Sequence, residues 1–366
     1  MRVLIRFFLP LLLLITGAAS VWSADGRILS FEGDVTVNGR AVSASTELHR
    51  EDTIMTAAGA SIKIVLSDNS VLDIDSDSEV HLSDYSYNPA QPEENKSEIG
   101  VVEGTLRYVS GLIAKEDPED VGFIAGNSTI GVRGSFTAIE VDGVLVNVEA
   151  MIGEATVEEE QVDGKKDSII VPTGQVSKKD PATGKILLAP ATVPNAVNIA
   201  VHAIAAAAPD SANGLPTDEG CSKGDKPQRD VANPEYDAEQ AKALADQLAV
   251  MSKGDLMMVM AVLINNARHL CIDSSAVASA IALIATIRPD AAADVVFVAS
   301  LLDPDNANLY TDTAIKAAPD QAININKAKE AAAQINRSKQ PRRPPGSQVA
   351  PIPDVPPGGG VDPSPE

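Results

Sequence analysis

At 366 residues, with 51 acidic against 29 basic side chains and a formal net charge of −22, this chain repels phosphate backbones, and nucleic acid is not expected as a partner. Its 44% hydrophobic content suffices to bury a core in each of two ordinary domains, which excludes a wholly disordered protein. With aromatics at 3%, those cores have to be aliphatic and alanine-rich, with few rings to anchor interfaces or stack on sugars.

Residues 1–23 read as a signal peptide. Arg2 and Arg6 precede the apolar run FFLPLLLLITGAA, and Val21 and Ser23 present small side chains where a signal peptidase inspects them, so cleavage is expected after Ser23. The alternative is a retained anchor, but the run is short of the ~20 residues of a spanning helix and Pro10 interrupts it. A periplasmic or secreted protein is expected, with no transmembrane helix after signal removal. In that oxidising setting Cys221 and Cys271, which lack metal-type spacing, are expected to form one disulfide. It would close a loop of about 50 residues and contribute up to ~4 kcal/mol in the chain-entropy model. Two separately buried thiols are the alternative.

Residues 24–180 read as a β domain. In ASIKIVLSDNSVLDID, Ile62, Ile64 and Leu66 share one face, and a turn at SDNS precedes Leu72 and Ile74. A glycine-led phrase recurs as EGDVTV, EGTLRY, IGEATV and TGQVS at unequal intervals, which predicts an irregular coil of strands rather than a strict-period solenoid. A linker is expected over 181–190.

Over 191–336 an α-helical domain is expected. Pro289, Pro304 and Pro319 are evenly spaced, each followed by Asp, with Ser274 at the same interval before them and Pro194 and Pro209 repeating it upstream. Proline suits the first position of a helix and the acid suits its positive end, so the repeat predicts helix starts in a stack of short antiparallel helices. From 337 to 366 the chain is Pro/Gly-rich and is expected to be disordered.

Motifs for chemistry are sparse. The four histidines lack metal-ligand spacing, GNSTIGVRG lacks the setting of a phosphate loop, and no catalytic residue or cofactor is assigned. Asp73, Asp75 and Asp77 partly imitate a calcium loop, but Ser78 stands where its glycine belongs. Alternation explains the same stretch as a strand with its acids facing water. Arg133, between Gly131 and Gly134 and before Phe136, is expected to be half-buried and paired, a structural tie rather than a partner contact.

The β region resembles the FecR domain. The resemblance is carried by EGDVTVNGR, by the turn Glu51-Asp52-Thr53-Ile54-Met55-Thr56, by the turn Asp68-Asn69-Ser70-Val71-Leu72, and by the signature Gly131-Val132-Arg133-Gly134-Ser135, over about residues 26–176. It implies a β-solenoid-like envelope domain that makes protein contacts. In transmembrane FecR regulators such a domain relays the state of an outer-membrane siderophore transporter to a cytoplasmic sigma-factor-binding segment. Here no cytoplasmic segment precedes the apolar run, and the helices are not covered. The fold expected is α+β in separate domains. The function expected is an exported, non-enzymatic binding or assembly protein whose partner is an envelope protein or cell-surface polymer. The alternatives are a periplasmic sensory component working with a separate transmembrane regulator, and a carbohydrate-active enzyme using paired carboxylates.

Overall fold

The computed structural model describes residues 24–160, 166–179, 185–191, 196–207, 238–270 and 272–339. The strands are β1 (Gly26–Glu32), β2 (Val35–Val37), β3 (Arg40–Ala41), β4 (Glu47–Leu48), β5 (Thr53–Thr56), β6 (Ser61–Leu66), β7 (Val71–Ile74), β8 (Ser78–Ser86), β9 (Lys96–Val109), β10 (Val121–Ala125), β11 (Ser128–Asp142), β12 (Leu145–Glu160), β13 (Lys166–Pro172), β14 (Gln175–Lys179) and β15 (Ile186–Pro190). The helices are α1 (Leu112–Glu116), α2 (Ala196–Ala207), α3 (Ala238–Val250), α4 (Lys253–Asn265), α5 (Ala267–Leu270), α6 (Ser274–Ile287), α7 (Ala292–Leu302), α8 (Ala307–Ala317) and α9 (Ala322–Lys339).

The strands form one continuous sheet whose main path runs β15-β14-β12-β11-β10-β9-β7-β6-β1-β4, with β9 also pairing β11. Stacked coils of a solenoid pair in parallel. Here the described pairs are antiparallel except β9 with β10, so the pairing departs from the solenoid-like expectation. The expected linker also carries structure, because β15 pairs with β14 through Leu188 opposite Ser177.

The recurring glycine-led phrase has a mechanical cause. Its glycines, Gly33, Gly104, Gly153 and Gly174, all take left-handed backbone, with φ of 73, 86, 76 and 77°. At Gly104, inside β9, a Cβ would stand 2.6 Å from the Ser78 Cα, so both the dihedral and the close approach demand glycine. Two turns of the FecR-like pattern put other residues in the same region: Glu51 has φ 72° and Asn69 has φ 67°. Asparagine tolerates this conformation; glutamate does not. Glu51 is exposed, so Glu51→Gly should stabilise the protein by about 0.5–1 kcal/mol, the relief of strain less the glycine entropy. Thermal melting of the two proteins checks it, and a destabilised variant would contradict it.

Sheet residues alternate between two cores. Ile62, Ile64, Leu66, Leu72, Leu106 and Ile139 pack within the β region, while Val65, Val71, Val109, Phe136, Met151 and Ile152 join the core of the helical region. Each region has its own core, and the two also bury apolar surface against each other. Helix α4 makes the join. Its Gly254 sits so close that a Cβ would lie 2.9 Å from Ser30 Oγ, and Asn265 Nδ2 donates to the Asn69 carbonyl at 2.7 Å.

The proline spacing sets the helical stack. Pro289, Pro304 and Pro319 each open a 3₁₀ turn that leads into α7, α8 and α9. The preceding residues, Arg288, Asp303 and Ala318, share one corner geometry, with φ of −127, −133 and −133° and ψ of 70, 75 and 70°, as the residue before a proline is pushed out of the helical region. The helix starts fall one turn after the prolines. Helix α8 packs on α6 and α9 on α7, giving two layers. Helix α7 is buried on most sides, whereas α9 turns a polar face outward and closes the stack. Pro194 and Pro209 lie outside the described residues, as do residues 1–23, Cys221, Cys271 and the tail from 340. Among the described residues no helix is long and apolar enough to cross a membrane.

Candidate functional site

Three cross-strand rows on one sheet face build the site. The first, Val65–Val71–Val109–Phe136–Ile152, is apolar and lies under the helices. The next, Lys63–Asp73–Arg107–Ala138–Glu149–Val176, runs over six strands and is mostly charged. The third, Thr105–Glu140–Asn147, is polar. The face therefore passes from a dry helix-covered end to an open trough lined by Thr105, Arg107, Glu140, Asn147 and Glu149, with Ala138 on its floor.

The charged row is tied together. Lys63 Nζ lies 2.7 Å from Asp73 Oδ1 and 3.3 Å from Asp255 Oδ1 of α4, and Arg107 bridges Asp73 Oδ2 at 3.2 Å and Asp75 Oδ2 at 2.6 Å. Burial works to lower the Lys63 pKa, but Asp73 and Asp255 more than offset it and hold the ammonium above its ordinary value. Glu149 is raised by burial, against the pull of Arg107 and Lys178. Asn147 Nδ2 donates to Glu140 at 3.0 Å. The trough, about 280 Å³, is at the lower edge of small-molecule sites, and its open, hydrogen-bonding lining suits side chains of a docking protein.

Two of the three aspartates considered for calcium are otherwise engaged. Asp73 is 1% exposed, where alternation alone would turn it to water, because β7 is covered on both faces and the Asp73 oxygens face Lys63 and Arg107. Asp75 pairs with Arg107, and Asp77 sits at a left-handed turn with φ 54°. Among the described residues no group of three or more His, Cys, Asp or Glu is arranged to hold a metal.

Of the FecR-like signature, Val132 is buried but Arg133 is exposed, which corrects the expected half-burial. The register of β11 on β12 slips between Arg133, opposite Glu154, and Phe136, a bulge that includes Gly134 and breaks the alternation. Gly131 has neither left-handed backbone nor a close neighbour within 4 Å of its Cβ position. Sequence reasoning missed Lys63, Arg107 and Glu149. A lysine between Ile62 and Ile64, or an arginine between Leu106 and Tyr108, was the available signal: a charge inside an apolar strand needs a partner.

The family model described as FecR protein matches residues 52–177, less than half of the chain; β1 to β4 precede the match, and β1 pairs β6 within it. Among solved structures, two crystal structures of a candidate anti-sigma factor from Parabacteroides distasonis ATCC 8503, at 2.50 and 1.65 Å resolution, are similar at a TM-score of 0.30 and 13% identity. The alignment covers 38% of this chain and 59% of that chain, less than two thirds of its length. No curated protein matches the sequence.

Proposed function

We propose that this chain is a non-enzymatic sensory component of the cell envelope, exported through its N-terminal apolar segment, in which the FecR domain receives a protein partner and a separate transmembrane regulator carries the signal onward. The observation that carries the reading is the FecR match over residues 52–177. The exposure of Arg133 in the signature and the open trough beside Arg107 and Glu149 supply surfaces a partner can reach. The stacked helices support a second reading, assembly with an envelope protein or polymer, because helical stacks serve widely as protein-binding surfaces.

Affinity capture from envelope extracts separates the two. A transmembrane regulator or outer-membrane transporter retained by the full chain is expected from sensing; a polymer or structural envelope protein would favour assembly. Arg133→Gln should keep the wild-type melting temperature, since exposed substitutions cost within about 0.5 kcal/mol, while weakening capture. A variant that melts early would return Arg133 to a structural role.

A further inference from the structure

Arg107, Glu140 and Glu149 are the charged groups lining the trough, and they are not equally satisfied. Arg107 is committed to Asp73 and Asp75, which answer its charge. Glu140 is exposed and accepts from the Asn147 amide. Glu149 is half-buried and, among the described residues, has neither a hydrogen bond nor an ion pair. Burial raises its pKa in spite of Arg107 and Lys178, so the cations around it do not make up for the water it has lost.

The rest of the lining suits an aliphatic stem. Val176 and Ala138 stand opposite Glu149 on the two neighbouring strands, and Met151 lies two residues along β12. Ala138 carries only a methyl group, which keeps the floor open. Glu140, two residues along β11 from Ala138, is a diagonal neighbour of Glu149, so both carboxylates reach one cation. We infer that the trough takes a lysine or arginine side chain of a partner protein, its stem over Ala138, Met151 and Val176 and its charged end on Glu149 and Glu140. Charge selects this occupant. With Arg107 taken up by Asp73 and Asp75, the lining presents two carboxylates, which repel an acidic segment. The net charge of −22 draws a basic segment and repels a second copy.

The inference rests on the reading that the chain receives a protein partner. Its probe is a fluorescent oligolysine peptide, titrated against the full chain by anisotropy. Binding is expected, and none by the same peptide with its lysines acetylated. Ala138→Leu fills the floor without changing charge, and Glu149→Gln removes one of 51 acidic side chains; each should weaken binding about tenfold or more. Glu149→Gln relieves a desolvated charge and should melt no lower than the wild type, so its loss of binding is not a loss of fold. No binding by the wild type, or equal binding by the wild type and both variants, would overturn the inference, the second because it reports only attraction to an acidic surface. Displacement of the peptide by butylamine at the peptide's own concentration would make the trough a small-amine site and overturn the protein occupant. If capture retrieves a regulator or transporter equally with the wild type and Glu149→Gln while the peptide fails, this assignment falls and the sensory reading stands.

Discussion

Asp73→Ala should lower stability by about 3–5 kcal/mol, the loss expected when one member of a buried ion network is removed and its partners are left uncompensated. Asp73 is 2% exposed in its side chain, Lys63 8% and Arg107 18%. Without it, Lys63 keeps only Asp255, which is 36% exposed, and Arg107 keeps only Asp75. Asp75→Ala is the contrast. Asp75 is 44% exposed, and its removal leaves Arg107 paired with Asp73, so the expected loss is about 1 kcal/mol. Chemical denaturation of the two variants measures the difference. Equal effects would mean that the row is not a desolvated network.

The same row has a signature in pH. The folded Lys63 ammonium titrates above its ordinary 10.5 because the two carboxylates outweigh its burial. A group raised on folding binds protons more tightly in the native state. Its contribution is therefore complete below the ordinary value and disappears as pH climbs through the raised one. Lys63→Met should accordingly flatten the alkaline loss of stability, beyond lowering stability at neutral pH.

Features decided by neighbours in sequence were readable, and features decided by neighbours in register were not. The glycine-led phrases and the Asp68-Asn69-Ser70 turn are local, and each corresponds to a backbone angle the structure contains. The proline spacing was readable for the same reason: a proline constrains its own φ and the residue before it. The charged row joins Lys63 to Glu149 through strand pairings that no local pattern reports. Arg133 misled because one bulge moves a side chain to the other face. The stretch 181–190 read as a linker because β15 is short and follows Pro181 and Gly184, and its partner β14 supplies what its own pattern lacks.

Gly111→Ala should lower stability by about 3 kcal/mol, because the methyl group would enter backbone rather than a yielding side chain. Its Cβ would stand 2.3 Å from Ser70 N, 2.4 Å from Asp68 Oδ2 and 2.6 Å from the Asp68 carbonyl oxygen. Those atoms belong to a fully engaged turn. Asp68 Oδ1 accepts from Ser70 N at 3.1 Å, Ser70 Oγ at 2.6 Å and Tyr85 OH at 3.1 Å, and the Asp68 carbonyl accepts from Leu112 N at 2.7 Å. Burial and Asp68 push the Tyr85 phenol well up, so it remains a donor. Moving the turn also moves Asn69, whose carbonyl receives the Asn265 hydrogen bond from α4, so the damage should reach the join between sheet and helices. Gly131→Ala is the control: it lies in the FecR signature but would meet nothing within 4 Å, and its effect should stay within about 0.5 kcal/mol. Hydrogen exchange on the two variants locates the effect. Faster exchange in α4 for Gly111→Ala alone is expected, and equal exchange in both would mean that the turn does not seat the helix.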